Sequence, residues 1–446
     1  MPALIRIAAL ALSLLALAYE PAAAKTFIRD AEIEHTLSRI TDPILRAASI
    51  SPATVHIYIV DDPELNSFVA GGQNIFVNSG MLMRLTSIDE LRAVLAHETG
   101  HLAGGHIQRM ADGMAGPRNL ALLGLVAAAA ATVGGNPAAG MALATGGQQM
   151  AQRSALAYTR GEEASADQAA VSFLASAGSD PQAMIDVLQM FEGQEALMTA
   201  QMDPYLVNHP LSPERIAMLE ERVAKLPKGH PADADDVYWY NRMVAKLKGF
   251  LQSPAQTMRD YPPADTSEFA TLARAVAYYQ QPNMAKGAAE IAKLLAIRPD
   301  DPYYLELKGQ FLLQAGQAGP AVEAYRAAVQ AAPKEPLLLG ALGRALLNTD
   351  NKGDTVEARD VLTRSTALDK ESPDVWRDLA LAEARLGNEG AAALDTAERY
   401  LLVGQFRDAL RNADHASAVL PYGSPGWRRA QDITSIAQRA LKKDRP

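Results

Sequence analysis

The stretch AVLAHETGHLAGGHIQRM, Ala93–Met110, carries three of the chain's eight histidines within ten positions. On an α-helix His97 and His101 stand one turn apart and share a face. Their imidazoles can reach one metal ion, and Glu98 sits beside them, over the position that such an ion leaves open. The stretch is therefore either a metal-binding helix with its own base or a polar helix surface. Two histidines do not complete a zinc site, because a catalytic site takes three protein ligands and leaves a fourth place to water or substrate.

Two patterns compete for the third ligand. One continues the same helix as HExxHxxGxxH. Gly104 fits it, but Ile107 stands where the last histidine belongs and His106 comes one residue early. His106 is accordingly read as non-ligating. The other pattern takes a glutamate from a later helix, and TRGEEASAD (Thr159–Asp167) supplies Glu163. Glu162 is the competing neighbour, but only Glu163 has an aspartate four residues on, Asp167, and an arginine three residues back, Arg160. Asp167 is placed to accept a hydrogen bond from the far nitrogen of a metal-bound histidine.

Composition narrows the chemistry. The 446 residues are enough for two or three domains. There is no cysteine, which excludes disulfides, thiolate metal sites and cysteine nucleophiles, so a transition metal must be held by His, Asp or Glu. A net charge of −9 argues against nucleic acid as the main partner, since phosphate binding needs a basic face.

The N-terminus reads as a secretory leader, residues 1–24: Arg6, an apolar run from Ile7 to Ala18, then the small residues Ala22–Ala24. The apolar run is shorter than the ~20 residues that span a bilayer, and an uncleaved anchor is the lesser alternative. Helical spacing of Ile33, Leu37, Ile40, Ile44 and Leu45 follows. TVHIYIV, SFVAGG and NIFVNSG then read as a small antiparallel sheet ahead of the histidine helix. Residues 119–152 carry no charge at all. They are broken by GGNP into halves too short to cross a membrane, and are read as a buried or lid-like hairpin, with peripheral contact to a membrane left open.

The first domain is expected over residues 25–226, a linker rich in Pro, Asp and Gly with one short helix around Tyr238–Leu251 over 227–265, and repeats over 266–446. Gly309, Gly316, Ala321, Tyr325, Ala328 and Pro333 occupy the small, aromatic and proline positions of a tetratricopeptide repeat. Pro299 and Pro333 are 34 residues apart, as are Gly309 and Gly343. Four degenerate repeats are counted, against an irregular helical bundle as the alternative.

The motif HETGH, then RGEEASAD, then HPLSPER resembles the gluzincin metallopeptidases of the HtpX and CAAX prenyl protease kind, over residues 25–226. The leader and the repeats make the chain similar to the BepA-like branch of that family. NIFVNSGML also resembles the strand that precedes the zinc helix there. The resemblance implies one Zn²⁺ held by His97, His101 and Glu163, with Glu98 as general base. It also implies a role for His209 of the His-Pro motif, either as a fourth ligand that latches the site or as a catalytic group. Arg215, six residues on, would contact substrate near the scissile bond or its oxyanion.

The expected fold is mostly α with a small antiparallel β-sheet: a gluzincin zinc metalloprotease domain followed by an all-α tetratricopeptide solenoid. The expected activity is zinc-dependent hydrolysis of peptide bonds by an exported, periplasmic enzyme. Substrates would be unfolded or misassembled proteins, lying extended along the sheet edge near Asn74, Ile75, Phe76 and Val77. The repeats offer a concave surface for protein partners. The resemblance implies that these are the machinery of outer-membrane protein assembly. Two rivals stand beside this reading: an exported chaperone or scaffold with a latched zinc site, and a membrane-embedded protease that uses residues 119–152.

Overall fold

The computed structural model describes residues 27–70, 72–106, 160–191, 205–206, 209–281, 283–349 and 351–443. Residues 1–24, read as a leader, and the uncharged stretch at 119–152 lie outside the described residues. Two compact units account for the chain, residues 37–233 with 1–28, and residues 234–446 with 29–36.

In the first unit, β1 (Phe27–Ile28) is followed by α1 (Ala31–Ala47), whose residues from Leu37 onward belong here. Leu37, Ile40, Ile44 and Leu45 are buried, as their spacing predicts. Next come β2 (His56–Val60), β3 (Ser67–Ala70) and β4 (Asn74–Asn78), then α2 (Ser79–Arg84) and α3 (Ile88–Ala103). After the undescribed stretch follow α4 (Arg160–Ser176), α5 (Gln182–Gln189) and α6 (Pro213–Val223).

The sheet runs in the order β1-β2-β4-β3. Two of its pairings are antiparallel, as the sequence suggests, but β2 and β4 pair in parallel, so the sheet is mixed. This order corrects the expected substrate strand. Asn74–Val77 lie in β4, which is flanked by β2 and β3 and has both sides occupied. The strands with one open side are β1 and β3, and of the two β3 packs against the histidine helix α3. In an antiparallel ladder successive residues face the partner and the open side in turn. The Asn78 amide donates to the Asn66 carbonyl (3.0 Å) across the β3–β4 seam, so Ser67 turns its own carbonyl to the open side.

The second unit begins with α7 (Ala234–Leu251) and α8 (Pro254–Asp260). The helix expected around Tyr238–Leu251 starts earlier, at Ala234, and a second helix follows it in the expected linker, with the unit boundary near residue 233. The apolar face of α7, with Tyr240, Met243 and Leu247 buried, outweighs the flanking Pro, Asp and Gly. Five successive helix pairs follow: α9 (Glu268–Gln280) with α10 (Met284–Ile297), α11 (Pro302–Gln314) with α12 (Ala318–Ala331), α13 (Pro336–Leu347) with α14 (Lys352–Leu368), α15 (Pro373–Arg385) with α16 (Glu389–Leu402), and α17 (Phe406–Val419) with α18 (Pro425–Lys443). That is one pair more than the four read from sequence. The first pair is disguised because Ala275 stands where Gly309 and Gly343 stand in the next two. Ala321, Tyr325 and Ala328 are buried at the pair interface, as the repeat pattern requires.

One buried charge cluster ties this unit together. The Arg242 guanidinium meets both Asp301 oxygens (2.6 and 2.7 Å) and the Glu32 carboxylate, and lies 3.8 Å over the Tyr304 ring. Lys246 reaches Asp30 at 2.7 Å. Residues 29–36 are held in the unit by these pairs.

Candidate metal centre

Two helices build the site. Ser87 caps the start of α3, its hydroxyl accepting from the Glu90 amide at 3.1 Å, and so fixes which face of the helix turns inward. His97, Glu98 and His101 are all fully buried on that face. α4 packs along α3, and the closest approach is at Gly100. A Cβ there would stand 2.7 Å from the Ala166 carbonyl oxygen and 3.0 Å from its Cα. Only glycine lets α4 come this near, and Ala166 lies between Glu163 and Asp167. The glycine of the motif thus sets the distance between its histidines and the later carboxylates.

The side chains converge. His101 Nε2 is 3.0 Å from His97 Nε2 and 3.3 Å from Glu163 Oε1. His97 Nε2 is 3.5 Å from Glu163 Oε2. His209 enters from the segment before α6, with Nδ1 3.2 Å from His97 Nε2 and 3.1 Å from Glu163 Oε1. One ligand atom from each of His97, His101, Glu163 and His209 lies within 4.8 Å of all the others. Glu162 is half-buried and outside this group. Three imidazoles and a carboxylate with no sulfur form a donor set suited to a borderline ion such as Zn²⁺. Neutral ring nitrogens this close repel one another through their lone pairs unless a cation or proton lies between them. The residues therefore fit the metal that the sequence implies.

The surroundings orient these groups. Asp167 Oδ1 lies 2.9 Å from His97 Nδ1, so the far nitrogen of that ring faces a carboxylate. Burial disfavours charge on His97, but Asp167 and Glu163 outweigh it and hold its pKa up to about 10. Burial pushes His101 down to about 3. Burial alone would raise Glu163, yet the histidines around it hold its carboxyl well below the ordinary carboxylate range.

Arg215 differs from expectation. Its Nε and Nη2 grip both Asp167 oxygens (2.8 and 2.9 Å), while Nη1 donates to the Pro210 carbonyl (2.6 Å) and lies 3.0 Å from Glu163. Each nitrogen is engaged by protein and the side chain is buried. It braces Asp167 and the turn after His209, and in this arrangement does not face a substrate.

Three residues near the site were not assigned to it from sequence. The Ser67 hydroxyl, on β3, donates to Glu98 Oε1 at 2.6 Å. The other oxygen, Glu98 Oε2, is buried and has no hydrogen-bond partner among the described residues. Tyr205 stacks on His209 with ring centroids 4.7 Å apart. His106, read as non-ligating, lies outside the metal group but reaches the back of His101, Nδ1 to Nδ1, at 2.8 Å. Ser67 lies 31 residues before Glu98 and carries no local signal; the His106 contact was readable only from the two glycines that precede it.

Known proteins are similar to this chain in the same places. Residues 29–223 match Peptidase family M48. The matched segment is the one that carries the convergent histidines and Glu163. The chain is 25% identical over 373 residues to the beta-barrel assembly-enhancing protease of Escherichia coli (strain K12), covering 83% of this chain and 75% of that protein. It is 28% identical over 185 residues to the mitochondrial metalloendopeptidase OMA1 of Schizosaccharomyces pombe, covering 42% of this chain and 51% of that one. Among solved structures, MamA protein is similar at 16% identity, over 40% of this chain and 88% of its own, with a TM-score of 0.30. The family match and the curated relatives make the chain a metallopeptidase, and its own helix pairs form a helical-repeat unit. Among the described residues no helix is long and apolar enough to cross a membrane.

Proposed function

We propose that the chain is an exported zinc endopeptidase that cuts unfolded or stalled proteins during outer-membrane β-barrel assembly. The observation that carries the chemistry is the pair of environments at Glu98. One oxygen is fixed by Ser67, and the other is buried, unpartnered among the described residues and beside the convergent His97, His101 and Glu163. Zinc held by those three residues supplies Lewis acidity that polarises a peptide carbonyl and lowers the pKa of water towards ~7. Glu98 does the proton work, taking a proton from the attacking water and giving it to the leaving amine. Asp167 and Arg215 hold His97 in place.

A substrate chain adds to the open side of β3, where backbone pairing gives affinity with little demand on sequence. In the resting protein His209 works as a latch. Its Nδ1 lies among the metal donors, and its Nε2 donates to the Ser67 carbonyl at 3.0 Å. The Tyr205 amide donates to the Leu65 carbonyl at 3.0 Å. One segment thus occupies both the fourth ligand place and the approach to the strand. The apolar run Ile7–Ala18 followed by Ala22–Ala24 supports the reading of an exported protein, the relative's name supports a part in β-barrel assembly, and the helix pairs of the second unit are the surface on which protein partners dock.

The test is degradation of casein by the zinc-loaded wild type and by Glu98→Gln. The variant is expected to hold zinc at wild-type stoichiometry and to lose hydrolysis by several orders of magnitude, because an amide cannot accept the proton. Near wild-type turnover in the variant would show that another group is the base.

A further inference from the structure

We propose that His106 is a positioning residue for the metal ligand His101, holding its ring from behind. The inference rests on the proposed zinc site. His101 turns Nε2 toward His97 and Glu163, so Nδ1 is its far nitrogen. A ligand imidazole binds through an unprotonated nitrogen and carries its proton on the other. His101 Nδ1 therefore donates, and His106 Nδ1, at 2.8 Å, accepts. His106 then carries its proton on Nε2. Both rings are buried, His106 at 1% exposure, so water does not compete for this bond.

The chain is shaped to bring His106 back. α3 ends with Gly104, and Gly105 follows at φ +62°, a left-handed conformation that turns the chain back on the helix. The returning imidazole lies flat against Gly104: a Cβ at that position would stand 2.3 Å from His106 Nε2 and 2.7 Å from Cδ2. Two adjacent glycines, one for the turn and one for the space, place a histidine on the back of a ligand. The two ligand histidines are thus held differently. His97 faces the carboxylate of Asp167, and His101 faces a neutral imidazole. With Glu98, Glu163 and Asp167 already in the site and Arg215 its one buried guanidinium, a neutral partner orients His101 without adding a further negative charge.

The experiment measures zinc affinity of the full chain by competition with a chromophoric chelator, together with the visible absorption of the Co²⁺-substituted protein. His106→Phe keeps an aromatic ring against Gly104 but offers no acceptor. His106→Asn offers an acceptor oxygen at the place of Nδ1 and gives up the ring. Gly104→Ala leaves His106 in the chain but pushes its ring away. Thermal unfolding of the metal-free variants reads the fold separately. Zinc affinity is expected to fall by about 10–100-fold in His106→Phe and in Gly104→Ala, with a shifted Co²⁺ spectrum, and to return to within a few-fold of wild type in His106→Asn. Wild-type affinity in His106→Phe, or equal weakening in His106→Asn and His106→Phe, overturns the assignment while leaving the zinc site standing. A wild-type protein that binds no zinc overturns the site and the assignment together.

Discussion

At the scale of single residues, the centre is held together by what stands behind each ligand. Asp167 serves His97, and Arg215 clamps Asp167 with two parallel hydrogen bonds, the strong fork geometry of guanidinium and carboxylate. His209 is the one member of the donor group that comes from neither α3 nor α4. Pro210 follows His209 and Pro213 opens α6, and each ring fixes its own φ and stiffens the segment that carries His209. Replacing His209 with Ala removes the latch and leaves three ligands. The variant is expected to keep its zinc and to degrade casein severalfold faster than wild type. If His209 instead stabilises the oxyanion, turnover falls by ~10²-fold or more with zinc retained, and the latch is refuted.

At the scale of elements, the decisive contact is the crossing of α3 and α4 at Gly100. Gly100→Ala places a Cβ 2.7 Å from the Ala166 carbonyl oxygen, and backbone cannot give way as a side-chain tip does. The helices must separate, which moves Glu163 and Asp167 from the histidines. Overpacking of this kind costs about 1–3 kcal/mol. The metal-free variant is expected to melt lower than wild type, and its zinc affinity to fall by at least about tenfold, as read by chelator competition. An unchanged affinity would mean that the crossing does not set the ligand spacing. The sheet shows the opposite lesson. Alternation in β2 and β4 is plain in the sequence, since Ile59, Ile75 and Val77 are buried. Strand order is not, because it depends on which strand slides between which, and nothing local records that. The same residues were therefore read correctly as strand and wrongly as edge.

At the scale of the whole molecule, stability is set by buried charges as well as by apolar packing. Asp395, on α16, is buried near Glu383 and Glu398, and burial pushes its carboxyl up to about 8. In the unfolded chain the same group loses its proton near ~4. Between these values the folded state binds more protons, so its stability falls as pH rises and levels off above about 8. Asp395→Asn removes that loss. The variant is expected to match wild type in melting temperature near pH 4 and to exceed it near pH 8, by roughly 2–4 °C for each kcal/mol recovered. A difference that does not grow with pH would contradict the assignment. Much of this molecule is legible in its sequence. The pairing of His97 with His101 follows from helical spacing, Glu163 was singled out by Asp167 four residues on and Arg160 three residues back, and the repeat unit follows from its 34-residue period. What stayed hidden depends on tertiary approach: the bond from Ser67 to Glu98, the grip of Arg215 on Asp167, and the return of His106 onto His101. Within the stretch read as a linker, the helix around Tyr238–Leu251 was legible, while its start at Ala234 and the following helix Pro254–Asp260 were not, because Pro, Asp and Gly flank them.

The central claim is that one zinc ion is held by His97, His101 and Glu163 beside Glu98. Anomalous diffraction at the zinc edge, from crystals of the full chain and of its Glu163→Ala variant, tests it most directly. The account predicts one strong peak per chain between His97 Nε2, His101 Nε2 and the Glu163 carboxylate, lost or much weakened in the variant. A peak elsewhere, none at all, or one that survives in Glu163→Ala but is lost in Glu162→Ala would contradict it.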